Sequence, residues 1–398
     1  MSKDNNDMVN SILDTSSMSY GLPPMPSLAV ARRIVDSHPQ TTSASNSGSL
    51  IFTLNTGDMF ILGETSYMSV RLQTVGGDAK TALTQSGVEG LFSSIVVSAR
   101  NGVEVCRVTE PGLLKKHHLW TMTHDKHLLL KHSEGDEHII GANADITLVF
   151  RMDSIPFFSQ KNLMPSMVCE GLRVHFTLNT PARAFKSPDT DVTSFSLTPI
   201  MKLDAVTLAD QFLRAVSVNA SNEGLVLLHN EFFHSQNSST ISAVNFNINK
   251  SCSKATSFTM ISRNSSNVDE KTVDNYLSNP YDYSRIQIQA GSVFYPNSPL
   301  EVPSAANSRE AYHYVLTNLA PDYDCSIRYS VFEAAGQAVF GQNLKENNRG
   351  QLTGILLNNS RSLLVNATMD SATSRIFNSY LEHVRLVRVF SNNVVVRD

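Results

Sequence analysis

RIQIQAGSVFYPNSPL, running from Arg285 to Leu300, alternates apolar and polar side chains with a period of two before it reaches Pro296 and Pro299. Ile286, Ile288 and Ala290 fall on one side of an extended chain and Arg285, Gln287 and Gln289 on the other. That is the period of a half-buried antiparallel strand, and a helix cannot share it. The prolines bracket a loop in this reading. The REAYHYVLTNL that follows, within Ser308 to Leu319, is helix-compatible, so the expected order is strand, proline-pinned loop, short helix.

Four other pieces have the same character: SYMSVRLQTV (Ser66 to Val75), SGVEGLFSSIVVSARNGVEVCRV (Ser86 to Val108), GLRVHFTLNTPARAF (Gly171 to Phe185) and YLEHVRLVRVFSNNVVV (Tyr380 to Val396). Each is a short alternating run between turn residues, the pattern of an all-β sandwich. In this order, from about Gly48 onward, they resemble the double-jelly-roll major capsid proteins of tailless icosahedral double-stranded DNA viruses, the hexon-like group that includes virophages and polinton-like elements. The resemblance implies an all-β chain of two consecutive antiparallel jelly-roll sandwiches with short inserted helices. It also implies a structural protein, not an enzyme, without cofactors, whose pseudo-hexagonal homotrimers tile an icosahedral shell. Its partners would be neighbouring capsid trimers, penton and minor capsid proteins, and an internal membrane where the virus has one. Its place would be the virion, after synthesis in the host cytoplasm and without secretion.

Composition agrees. The 398 residues, 43.8 kDa, suffice for two domains with full cores. Charged residues are 17% of the chain, below the roughly 25% usual for soluble domains. A net charge of -4 and a pI of about 6.3 supply no basic footprint, which argues against sequence-specific nucleic-acid binding. No apolar run spans a bilayer, and MSKDNNDMVN lacks the form of a secretory signal. The cysteines, Cys106, Cys169, Cys252 and Cys325, have no CxxC spacing and are read as reduced core residues. Sequons at Asn219, Asn237, Asn249, Asn264, Asn358 and Asn366 are read as unmodified in the absence of a signal peptide.

Residues 1–47 are expected to form an N-terminal arm. In it Met8, Val9, Ile12 and Leu13 make a short amphipathic turn suited to assembly contacts, while Pro23, Pro24 and Pro26 keep the next segment extended. The first roll is assigned to residues 48–210 and the second to 211–398, with DQFLRAV bridging them. Internal similarity supports a repeat: SSIVVSARN ending at Asn101 matches ATSFTMISRN ending at Asn264, and LTPIMKLDAV from Leu197 matches LEHVRLVRVF from Leu381. Glu110 to His132 reads as an inserted helix. The stretch from Glu110 to Ile140 and the loop from Asn264 to Asn279 are the expected intersubunit contacts.

Phosphate-loop, dinucleotide, nucleophile-elbow and HExxH signatures are absent, which leaves catalysis without a seat. His117, His118, His124, His127, His132 and His138 are half of the chain's 12 histidines. His124 and His127 lie one helical turn apart and are the weak candidates for a metal, although no carboxylate or cysteine completes a ligand set. The favoured reading is a Lys/His-rich helix face turned to solvent or a neighbour, with Leu113, Leu114, Trp120 and Leu128 buried. The acid groups Asp189 with Asp191, and Glu134, Asp136 and Glu137, read as solvated, and Arg385 with Arg388 as polar positions of the last strand. The rival function is a β-sandwich carbohydrate-binding attachment spike. It should gather aromatics into a shallow patch, and the 11 Tyr, 19 Phe and single Trp are not so gathered in sequence.

Overall fold

The computed structural model describes residues 29–398 apart from 85, 122, 124–132, 136–137, 161, 270–282, 302–308, 320–339, 346–353, 359–360, 370–371 and 391–392. The first half contains β1 (Ala29–Ser37), β2 (Ser49–Thr53), β3 (Phe60–Gly76), β4 (Phe92–Ser98), β5 (Glu104–Thr109), β6 (Asp145–Arg151), β7 (Arg173–Leu178) and β8 (Val192–Leu208). The second contains β9 (Leu225–Ser239), β10 (Ala243–Ile248), β11 (Cys252–Asn264), β12 (Tyr283–Ala290), β13 (Val293–Glu301), β14 (Phe340–Asn343), β15 (Leu363–Met369) and β16 (Arg375–Val389). Among the described residues three helices are longer than ten residues: α1 (Pro111–Thr121), α2 (Asp210–Asn222) and α3 (Arg309–Leu319).

The early strands form two sheets, β1-β8-β3-β6 and β2-β7-β4-β5, and the later ones form β9-β16-β11-β14 and β10-β15-β12-β13. Every pairing is antiparallel. Adding eight to each strand number of the first pair of sheets gives the second pair, so the chain is one jelly roll laid down twice. Among the described residues no strand of one half pairs with a strand of the other. α1 and α3 also correspond, each following the edge strand β5 or β13. α2 lies between β8 and β9 in the chain.

Period-two patterning explains the layers. Ile286, Ile288 and Ala290 of β12 are fully buried and Arg285 is exposed. Val174, Phe176 and Leu178 of β7 turn inward in the same way. In the first roll Phe92, Phe150 and Phe176 interlock at ring separations of 5.1 to 5.7 Å, mostly edge to face, the arrangement that aromatic quadrupoles favour.

Three expectations change. Pro296 and Pro299 do not bracket a loop: after a turn at Gly291, whose φ of +63° suits glycine, they lie within β13. β13 is an edge strand, where a missing N–H disturbs no ladder on the open side, and its register breaks between Ile286 and Ile288. The arm does not extend to Ser47, because β1 pairs along β8 from Ala29 to Ser37 and Ala44–Ser45 bonds β8 as well. Met8, Val9, Ile12 and Leu13, with the proline cluster, lie outside the described residues. Finally, LTPIMKLDAV and LEHVRLVRVF occupy the equivalent strands β8 and β16, but SSIVVSARN is β4 and ATSFTMISRN is β11, whose true counterparts are β12 and β3. Short alternations of equal period carry no information about which strand of a sandwich they form.

Candidate functional site

The two rolls meet where β5, the edge of one sheet, faces β9, the edge of another. An edge strand presents unpaired backbone groups, which are costly to bury. Side chains of the second roll supply their partners. The Arg107 N–H donates to Glu231 Oε1 at 2.7 Å, and the Val105 carbonyl accepts from Arg385 Nη1 at 3.1 Å. The Tyr380 hydroxyl reaches the carbonyls of Glu110 and Thr109 at 3.2 and 3.4 Å. β5 is thus closed by side chains from β9 and β16, not by a further strand.

Register explains why these groups converge. His229 lies opposite Arg385 and Glu231 opposite His383 across the β9-β16 ladder, which places all four on one face. All four are buried. Arg385 also holds Asp398 through Nε at 2.6 Å, and Lys250 bonds the same carboxylate at 2.5 Å. Burial opposes the Arg385 charge, but the Asp398 bond and the charge of Glu231 outweigh it and keep the guanidinium above its ordinary pKa. Burial likewise opposes ionisation of Asp398, yet His383 at 3.5 Å and the bonds from Arg385 and Lys250 hold it below the usual carboxylate range.

A second buried cluster anchors α1. Lys115 Nζ lies 2.8 Å from Glu134 and 3.3 Å from Glu89, and the Ser154 hydroxyl donates to Glu89 at 2.5 Å. Burial pushes Glu89 up to about 7 against the opposing charge of Lys115. Burial also acts against the Lys115 charge, and the two carboxylates more than compensate. His118, one turn further, packs its ring 5.3 Å from that of Phe232 in β9. Burial, reinforced by the charge of Lys115, lowers its pKa to about 4. Arg183 ties the rolls again, bonding Glu110 at 2.9 Å and Asp269 at 2.7 Å.

The sequence readings of these charges need correction. Lys115 and Lys116 are buried within the chain, not turned to solvent or a neighbour, and Glu134 is buried as the counter-charge of Lys115 instead of solvated. Arg385 is a seam residue and not merely a polar strand position. Leu113 and Leu114 are buried as expected, whereas the side chain of Trp120, and His124, His127 and Leu128, lie outside the described residues. Cys106, Cys169 and Cys252 are free and buried. The sequence reading missed the gathering of Cys106, His229 and Glu231, whose ligand atoms all lie within 4.8 Å of one another. The only local hint was His-Asn-Glu on a strand, which puts His229 and Glu231 on one face.

No family model matches the sequence, and no curated protein matches it. Solved structures match over almost the whole chain. PBCV-1 VP54, fitted into a cryo-EM reconstruction of the virophage Sputnik, aligns with a TM-score of 0.69 at 11% identity, covering 95% of this chain and 98% of its own. The Faustovirus major capsid protein aligns with a TM-score of 0.62 at 6% identity, covering 95% and 94%. The mavirus major capsid protein aligns at 0.55 with 10% identity, covering 96% and 92%. The fold is that of the double-jelly-roll capsid proteins. Within that double jelly roll, the seam is the place where the first roll is fastened to the second.

Proposed function

We propose that this chain is the major capsid protein of an icosahedral double-stranded DNA virus and works as a homotrimer. The observation that carries the reading is the repeat itself. Inside the chain, edge strand β5 of the first roll is covered by β9 and β16 of the second. The equivalent edge β13 has no such cover among the described residues, and Val293 and Phe294 on it are each 40% exposed. On the first roll β1 is open in turn, with Val30 68% and Ile34 59% exposed. Repeating the step that relates the rolls sets β13 of one copy against β1 and β8 of the next. Three copies close a ring with six sandwiches, a pseudo-hexagonal block able to tile a facet.

In this reading the rolls divide near Asp210, and function is geometric, without catalysis or cofactor. Partners are other trimers, penton and minor capsid proteins and, where one exists, an internal membrane; the protein resides in the virion after cytoplasmic synthesis. Met8, Val9, Ile12 and Leu13 serve as a clamp in the assembled shell, so deleting residues 1–17 should spare the trimer and impair shell formation. Native mass spectrometry and negative-stain microscopy of the purified full chain test the main reading. Three-chain particles with a hexagonal outline are expected. Monomers that bind on a glycan array would replace it with the attachment-spike reading.

A further inference from the structure

Within the seam the donor atoms of Cys106, His229 and Glu231 converge, all three side chains being buried. Hydrogen bonding explains only the Cys106–Glu231 side of the convergence. Among the described residues neither ring nitrogen of His229 has a hydrogen-bond partner, and Glu231 Oε2 has none. His229 Nε2 and Glu231 Oε2 nevertheless stand 3.4 Å apart, close but without the alignment of a hydrogen bond. Two ligands about 2.1 Å from one tetrahedral zinc ion stand about 3.4 Å apart, so this spacing is the one a shared ion would impose.

We propose that Cys106, His229 and Glu231 form a three-ligand zinc site, its fourth position taken by a solvent oxygen, that fastens the first jelly roll to the second. The donor set selects the metal. Thiolate and imidazole disfavour magnesium and calcium, which take oxygen ligands, and suit zinc. Charge balances as well: one thiolate and one carboxylate neutralise Zn²⁺, and the Cys106 proton leaves to solvent as the Zn–S bond forms. The outer shell of the carboxylate is already built. Glu231 Oε1 is occupied by the Arg107 N–H and lies 3.4 Å from Arg385, which orients the carboxylate and leaves Oε2 free. Phe157 packs edge to face on His229 with ring centroids 5.5 Å apart, fixing the imidazole.

His229 and Glu231 come from β9 and Cys106 from β5, so the ion would bridge rolls more than 100 residues apart in the chain. Buried polar atoms without partners are costly, and a bound cation would take up one on each of two side chains, His229 and Glu231. The site lies inside one chain and does not depend on the capsid reading.

The test uses the purified full-length protein incubated with zinc chloride and desalted. It should retain about one zinc per chain by elemental mass spectrometry, as a single tetrahedral site requires. Cobalt substitution should give a thiolate-to-cobalt charge-transfer band, absent in Cys106→Ser together with the bound metal. His124→Ala/His127→Ala should keep both. X-ray absorption on the zinc-loaded wild type decides the matter even where Cys106→Ser fails to fold: one sulfur ligand with nitrogen and oxygen supports the site. A zinc shell with no sulfur, a failure to retain zinc, or a charge-transfer band that persists in Cys106→Ser would overturn it.

Discussion

β5 and β13 hold the same place in the two sandwiches and have different surroundings. Both follow a tight connection from the strand they pair with, both end their sheet, and both lead into a helix. Yet β5 is buried under the second roll, its free backbone groups bonded by Arg385, Glu231 and Tyr380, while β13 carries two prolines, a register break and exposed apolar side chains. The comparison teaches that the repeated strand order sets the shape of each roll and that edge chemistry sets what each roll joins. An edge to be closed within the chain receives charged side chains aimed at its backbone. An edge left to meet another molecule is protected from unwanted strand addition by proline and irregularity.

The largest effect should come from Arg385→Met. It leaves Glu231 and Asp398 short of their cation and the Val105 carbonyl unpaired in a buried seam, a loss expected to cost about 3 to 5 kcal/mol in equilibrium denaturation. A loss below about 1 kcal/mol, the range of surface substitutions, would erase the distinction between the two edges.

Next comes pH. His118 is held down to about 4 from an ordinary 6.5, so the unfolded chain binds a proton in that interval that the folded chain refuses. Its contribution is fully present above pH 6.5 and is lost as pH falls through 4. Glu89 runs oppositely: raised from 4.5 to about 7, it contributes stability below pH 4.5 that is lost as pH rises through 7. The two slopes oppose each other across one window. In Glu89→Gln the opposing Glu89 slope is gone, the His118 slope remains with that of His234, which burial also lowers, and stability should rise from pH 4 to pH 6.5, by up to about 3 kcal/mol from His118. A flat profile in that variant would mean that α1 does not bury His118 against β9. Smaller again is Tyr380→Phe, which removes a neutral hydroxyl shared between two carbonyls of the β5 end and should cost about 1 kcal/mol.

Strands were legible in the sequence because alternation is a local property. The inward set of β12 needs only Ile286, Ile288 and Ala290 to be recognised, and α3 needs only its own eleven residues. The seam was illegible because its logic is long-range. Arg385 looks like a solvent-facing strand residue until Val105 and Asp398 are beside it, and Lys115 looks like a surface lysine until Glu89 and Glu134 flank it. Lys, Glu and Arg are seldom buried without partners, and partners tens to hundreds of residues away leave no trace in a local pattern. The prolines of β13 misled for a related reason: proline excludes a central strand, and only the topology reveals that this strand is an edge. Cys106 is the extreme case, since nothing near it in sequence resembles a ligand.

The smallest effect on the chain itself should come from the outer edge, and there the comparison can be sharpened most. Phe294 is 40% exposed and contributes little to the core of its own roll. Phe294→Asp should therefore change single-chain stability by no more than about 0.5 kcal/mol, as surface substitutions do. In the proposed trimer the same position faces β1 of the next copy, where Val30 and Ile34 supply apolar surface, and an aspartate there would be desolvated without a partner. The variant should run as a monomer in native mass spectrometry while keeping the denaturation midpoint of a folded monomer, and Ile34→Asp should do the same from the other side. Trimers that survive both changes would show that β13 and β1 do not meet, and that the step joining the two rolls within the chain is not repeated between chains.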